Sequence, residues 1–500
     1  MNRFLHALRG RSVIHCGRLA IIMGLLLAFP AGGNAAIPAR TAQLPQDPEA
    51  PLAVTPNSSY LYIPAAAYEV GHYNYDYENH GRYIKNTAEA YDHTHFRAAV
   101  KLPHGAIIRS VGFCFFDDSP TKNATAWLYR DERGSSEVEM ATAATNSSDD
   151  GYLVRYDNSI IDSTVDNVDS VYWVQLDIPY SSGDGDNVWG CGAKIYYNPP
   201  ATETGILSMP ASIFKPHVPG EEYSTQGSSI ENKGLVNATF LANVDLPHGA
   251  VVTKLTLRYS ESLATDEINL YLQRSDQTGE YETMATVSSL DGYDTERSTT
   301  AISNATIDNE WHHYWLNLDL PIDDPSYSMD ARAVKIEYTL PSRSLSDITS
   351  ISAAAFTPFY EGLYANNHAR YLMHLGVEST GMYLAPVYLP DGAIVNNVHF
   401  GFYDGSTTKS GSAYLVRTRW GVNEELSTGS TSVAGALGWI ILSAPVSNEM
   451  IDNSSYSYFA YFVLPVSQPY YPPHSETFVG VSVKIKYQSL SFMFLPVVRK

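Results

Sequence analysis

Apolar and polar positions alternate along most of this chain, and no stretch carries the three-to-four spacing of an amphipathic helix. Val111, Phe113 and Phe115 alternate with Gly112 and Cys114. Tyr172, Val174, Leu176 and Ile178 alternate with Trp173, Gln175 and Asp177, and Tyr314, Leu316, Leu318 and Leu320 with Trp315, Asn317 and Asp319. Side chains two apart share a face of a strand, so each run predicts a strand with one core-facing side. One run departs from the rule. Phe459, Tyr461 and Val463 stand opposite Tyr458, Ala460 and Phe462, so both of its faces call for cover.

The runs recur as a long tandem repeat. Leu102-Pro103-His104-Gly105-Ala106 returns as Leu246-Pro247-His248-Gly249-Ala250 and as Leu389-Pro390-Asp391-Gly392-Ala393, at steps of 144 and 143 residues. Asp166-Asn167 before Tyr172-Trp173 returns as Asp308-Asn309 before Tyr314-Trp315, then as Asp452-Asn453 before Tyr458-Phe459. Each copy closes on a Lys-Ile-x-Tyr strand at Lys194, Lys335 and Lys484. The LP[HD]G element reads as a turn, its proline fixing one dihedral and its glycine free to go left-handed. With roughly eight or nine strands per copy and turns every ~8–12 residues, the pattern predicts an all-β fold. Unit length favours jelly rolls over smaller immunoglobulin-type sandwiches, so three tandem jelly-roll-like β-sandwich domains are expected. The expected division is a signal peptide over 1–35, a Pro/Ala-rich linker over 36–59, repeats over 60–198, 199–341 and 342–488, and an apolar-basic tail over 489–500.

The leader carries Arg3, Arg9, Arg11 and Arg18, then the apolar Leu19–Pro30, then small residues before Ala36. That is the pattern of a secretory signal, and the apolar run is shorter than a membrane span requires. A secreted or cell-surface location is expected, with no membrane span after cleavage. Acids outnumber bases, 53 to 32, for a net charge of −21, which disfavours nucleic-acid partners. Cys114 and Cys191 remain after cleavage, and an exported pair favours a disulfide, two separate buried thiols being the alternative.

Candidate chemistry is sparse. His104 and His248 recur, but Asp391 replaces them in the third copy, and the turn accounts for all three. Arg130, Arg274 and Arg417 share a register and suit ion pairs with recurrent acids such as Asp166, Asp308 or Asp452, an anionic ligand being the alternative. Asp184 and Asp186 lie in a loop that weakly suggests calcium, without the distal glutamate of an EF-hand. No other cofactor is expected, and no nucleophile motif or zinc signature occurs. Trp173, Trp315 and Phe459 hold the outward register of three equivalent strands. Such rings either stack on sugars or lie beneath a neighbouring element.

These motifs resemble tandem β-sandwich units of exported bacterial proteins whose function is uncharacterised. The resemblance spans nearly all of residues 60–488 and implies a fold without an activity. The expected function is a non-catalytic exported surface or matrix protein with adhesive or spacer repeats. A multivalent carbohydrate-binding protein is the alternative, and a secreted polysaccharide-active enzyme comes third. Partners would be an extracellular glycan or a surface protein. The sequence leaves the oligomeric state open.

Overall fold

Alternation becomes strand throughout the computed structural model, and no α-helix occurs among the described residues. Those residues are 59–488 apart from 72–75, 90–91, 133–136, 182–186, 201–204, 218–220, 262–265, 277–279, 291, 323–328, 341–345, 360–364, 368–370, 376–379, 420–421, 431–437 and 468–476. The expected leader, all but the last residue of the linker, the tail, and Asp184 and Asp186 fall outside them.

In the first repeat the strands are β1 (Ser59–Pro64), β2 (Glu69–Val70), β3 (Tyr77–Asn79), β4 (Ile84–Asn86), β5 (His93–Ala99), β6 (Ile107–Asp117), β7 (Thr125–Glu132), β8 (Val138–Ala144), β9 (Gly151–Asp157), β10 (Ser170–Pro179) and β11 (Val188–Asn198). They form two antiparallel sheets. Blade 1 runs β3-β4-β11-β6-β9, with β1 also paired to β11, and blade 2 runs β2-β5-β10-β7-β8. The second repeat supplies blades 3 and 4, and the third supplies blades 5 and 6, with the same strand orders.

Each pair of blades closes on an apolar core. Val111, Phe113 and Phe115 of blade 1 meet Tyr172, Val174, Leu176 and Ile178 of blade 2 in one cluster. Leu255, Leu257 and Tyr259 meet Tyr314, Leu316 and Leu318 in the next. The third joins Phe400 and Phe402 to Tyr458, Ala460 and Phe462.

The outer faces are covered as well. Trp173 and Val171 of blade 2 pack on Ala333 of blade 3. Trp315 and Leu241 of blade 4 pack on Ala354 beside blade 5. Phe459, Leu384 and Val416 of blade 6 pack on Ala66 beside blade 1, which brings the last repeat against the first. Each sheet therefore meets a neighbour on both faces, in a closed cycle.

The expectation of three tandem jelly-roll-like β-sandwich domains is thus corrected to a six-bladed β-propeller of small sheets. The reason is the second apolar stripe. Reading the alternation as one buried and one solvated side overlooked that Trp173, Trp315 and Phe459 each have a partner blade. All three are at most 2% exposed, so they are seam plugs and present no open ring face.

Polar contacts register the seams. The lysine of each Lys-Ile-x-Tyr strand donates to a backbone carbonyl in the Asp-Asn loop of the preceding repeat. Lys335 reaches Val168, Lys484 reaches Glu310 at 2.7 Å, and Lys194 of the first repeat reaches Ser454 of the last. Asn167 and Asn309 add side-chain donations to the Ile206 and Ile348 carbonyls of the next repeat. A buried ammonium needs partners of this kind, because an unpaired one is costly to desolvate.

Replacing Trp173 with Ala leaves a cavity at the blade 2–blade 3 seam and should cost about 3–5 kcal/mol. Replacing Trp311, which is 61% exposed, should change stability little. Urea denaturation of the two variants is the check, and equal midpoints would contradict the seam role of Trp173.

Candidate functional site

The repeated motif residues are consumed by the backbone around them. Gly105, Gly249 and Gly392 take φ of 82°, 80° and 73°, which only glycine adopts without cost. Their turns are closed by Ala106, Ala250 and Ala393 donating to the carbonyls of Pro103, Pro247 and Pro390. The next motif locks onto the turn. The Asn167 and Asn309 amides donate to Nδ1 of His104 and His248 at 3.1 Å, and the Asn453 amide donates to Asp391 Oδ1 at 2.8 Å. Histidine and aspartate are interchangeable here because the position asks only for an acceptor. Asn167, Asn309 and Asn453 also donate through Nδ2 to the Leu102, Leu246 and Leu389 carbonyls.

Tyr172, Tyr314 and Tyr458 point their hydroxyls back to accept from the Asp166, Asp308 and Asp452 amides. Those aspartates accept from amides two residues on, in the Asx turns the sequence suggests. The recurrent arginines pair with other acids. Arg130 meets Asp162 at 3.0 Å and Glu132 at 2.6 Å; Arg274 pairs with Glu282; Arg417 meets Glu424 at 2.8 Å and also Glu449. Cys114 and Cys191 form a disulfide between β6 and β11 of blade 1. No group of three or more His, Cys, Asp or Glu side chains that could hold a metal occurs among the described residues.

His312 lies half-buried just before the strand His313–Leu320. His313 is fully buried beside Trp315, and neither ring nitrogen has a partner among the described residues. Burial, with Lys484 and His312 nearby, pushes its pKa down to about 3. The equivalent residues are Val171 and Ser457, so the fold does not ask for histidine here.

One aromatic group answers to no structural motif. On the blade 1 face turned toward blade 6, four rings stand in a row across neighbouring strands. Tyr83 stacks on Trp189 at 4.6 Å, Trp189 on Phe116 at 4.3 Å, and Tyr152 closes the row at 5.0 Å, turned 70° from Phe116. Register makes the row, because Trp189, Phe116 and Tyr152 are direct cross-strand partners at about the 4.8 Å strand spacing. His80 extends it from the other side, stacking on Tyr83 at 4.3 Å. All five side chains are half-buried, and Arg82 lies over the Tyr83 ring at 5.3 Å. Glu78 accepts from His80 and pairs with Lys85 at 2.8 Å, while burial lowers the His80 pKa.

Equivalent positions diverge. Phe116 corresponds to Ser260 and Tyr403, and Trp189 to Asp330 and Val479. The third repeat buries part of its version: Tyr403 joins a cluster with Tyr371 and Val479, and partly buried Trp439 packs against it. Sequence reasoning missed the row, although the comparison of copies contained a signal. Ser260 and Asp330 at the same positions in the second repeat show that the shared fold does not require aromatic residues there.

No protein-family model matches this sequence, and neither does any curated protein. Among solved structures, the tandem CBM22-1-CBM22-2 domain of Xyn10C from Paenibacillus barcinonensis is 11% identical, with a TM-score of 0.20 over 56% of this chain and 97% of that one. An isomalto-dextranase of Arthrobacter globiformis, complexed with panose, is 9% identical with a TM-score of 0.21, over 56% of this chain and 36% of that one. An allantoicase is 10% identical at 0.21, over 55% and 93%. Likeness this slight carries nothing about ligand or activity.

His313 generates a pH prediction. The unfolded chain binds a proton at this histidine from about pH 6.5 downward, while the folded chain keeps it neutral to about pH 3. The contribution is therefore intact above pH 6.5 and is lost as pH falls, by about 1.4 kcal/mol per unit once titration is complete in the unfolded state. His313→Val, which copies the first repeat, should flatten that slope. Urea midpoints between pH 7 and pH 4.5 measure it, and parallel slopes for the two proteins would refute the assignment.

Proposed function

We propose that this chain is a non-catalytic exported protein, a rigid body at the cell surface or in the extracellular matrix that binds glycan through the aromatic row of blade 1. The leader pattern and the Cys114–Cys191 disulfide support export, since such bonds persist in oxidising compartments. The recurrent polar residues support a non-catalytic role, because turns, Asx loops and seams already occupy them.

The row itself carries the glycan reading. Partly exposed Tyr and Trp rings combine apolar bodies with polar tips, which suits the C–H faces and hydroxyls of a sugar. Arg82 and Lys85 supply donors next to the rings, and Glu78 supplies an acceptor. Trp173, Trp315 and Phe459 have no part in this reading, since they are sealed between blades.

A glycan array with residues 36–500 tests the proposal. A hit should weaken by about tenfold or more in Trp189→Ala and in Tyr152→Ala, in line with the loss of one to two stacking contacts. Thermal midpoints taken alongside separate lost contact from lost fold. An array without hits, or binding untouched by both substitutions, would remove the row as a glycan site.

A further inference from the structure

A second site lies where the three repeats meet. Opening strands, LP[HD]G turns and closing strands of all three enclose a cavity of about 620 Å³. Its rim includes exposed Pro390 and Leu340, so it communicates with solvent on the side of the turns.

Equivalent positions divide into two kinds there. Leu102, Leu246 and Leu389 are the same in every copy, as are Tyr197, Tyr338 and Tyr487, and these build the wall. The residue just before each LP[HD]G turn is different every time: Lys101, Asp245 and Tyr388. Asp391 faces the cavity where the other copies have His104 and His248. Asp347 does so at the position of Ser59 and Gly205, as their common pairing with Tyr487, Tyr197 and Tyr338 shows. Like charges repeated around an axis would repel, so some divergence is expected. Divergence toward three acids is not required by that argument.

The balance of charge is uneven. Among the described lining residues Asp245, Asp347 and Asp391 are the carboxylates, and Lys101 is the only base. Lys101 lies 5.6 Å from the Tyr388 ring centre, with Asp245 near enough to favour its charge against the burial that lowers its pKa. Burial raises the pKa values of Asp347 and Asp391, and the charge of Asp245 adds to the rise at Asp347. The aromatic wall already faces ammonium groups twice, at Lys101 over Tyr388 and at Lys194 over Tyr60 at 5.3 Å. The Tyr62 side chain lines the same cavity at 6% exposure, and its hydroxyl makes no hydrogen bond among the described residues.

We infer that this axial cavity binds a small organic ammonium ion, held by Asp245, Asp347 and Asp391 among tyrosine rings. The three carboxylates outweigh Lys101 in charge, a ring face adds cation–π attraction, and the Tyr62 oxygen accepts an N–H where the ammonium carries one. The chain's acidic surface favours arrival of such a cation. The inference is independent of the glycan reading, because the aromatic row shares no residue with this lining.

Titration calorimetry of residues 36–500 with 1,4-diaminobutane and with choline, at constant ionic strength, tests it. At least one probe should bind saturably, one per chain, and raise the thermal midpoint. Asp347→Asn and Asp391→Asn keep the acceptor oxygens that bond the Ile348 and Asn453 amides, so both should fold. Each should weaken binding by about tenfold, as expected for losing one charged partner. Trp189→Ala should leave it unchanged. Absence of saturable binding beyond that of sodium chloride would overturn the inference, as would affinities indifferent to both substitutions. Displacement of the amine by a neutral disaccharide at lower concentration would reassign the cavity to a sugar.

Discussion

The propeller closes because each sheet has an apolar stripe on both faces, and the closing contact is Phe459. That ring joins blade 6 to the segment that opens blade 1, beside Ala66 and over Gly81. A Cβ at Gly81 would come within 2.9 Å of the ring, so glycine is needed there for the approach as well as for its φ of 74°. Without this contact the last repeat would expose a phenylalanine and the first an alanine-lined turn, and the row of blades would have two open ends. Its apolar sequels at the other seams are larger: Trp173 and Trp315 each present an indole to an alanine. The phenyl sits where a glycine lets the backbone approach it.

Apolar plugs give adhesion without register, and the polar contacts supply the register. Lys194, Lys335 and Lys484 are all less than a tenth exposed, and each ends on a carbonyl of the Asp-Asn loop next door. A carbonyl accepts the ammonium without a second ion to desolvate, and Lys335 adds a carboxylate partner, Glu296, at 3.1 Å. The desolvation remains visible at Lys484, whose pKa is pushed down to about 8 mainly by burial. One loop thus does two jobs. Its asparagine fastens it to the LP[HD]G turn of its own repeat, and its carbonyl receives the lysine of the next. Inside a repeat and between repeats, order depends on the same few residues.

That economy explains which parts could be read from the sequence. Period, strand content and the left-handed glycine of the turn are local, and alternation or residue type expresses them directly. Closure is not local. A tryptophan at an outward position reads identically whether it meets sugar, solvent or another sheet, and the facing Ala333 and Ala354 are too small to announce a contact. The strand around Phe459 came nearest, because both of its faces are apolar in the sequence itself. The arginines illustrate a related limit. Their ion pairing was legible from type and register, but the partners Asp162, Glu282 and Glu449 lie on strands and loops that only the folded sheets bring near.

Divergence among the copies is therefore a better guide to function than their agreement. Where the three agree, the structure shows a turn, a cap, a core side chain, an ion pair or a seam. Positions that the fold leaves unconstrained are free to differ, and two groups of them cluster in space. One is the row at Phe116 and Trp189, whose counterparts are Ser260 and Asp330. The other is the axial set of Lys101, Asp245 and Tyr388, three chemistries at one register around one cavity. They lie on a ring-lined face and around a cavity open to solvent, where polar groups need partners, and that placement makes them the candidates for ligand contact.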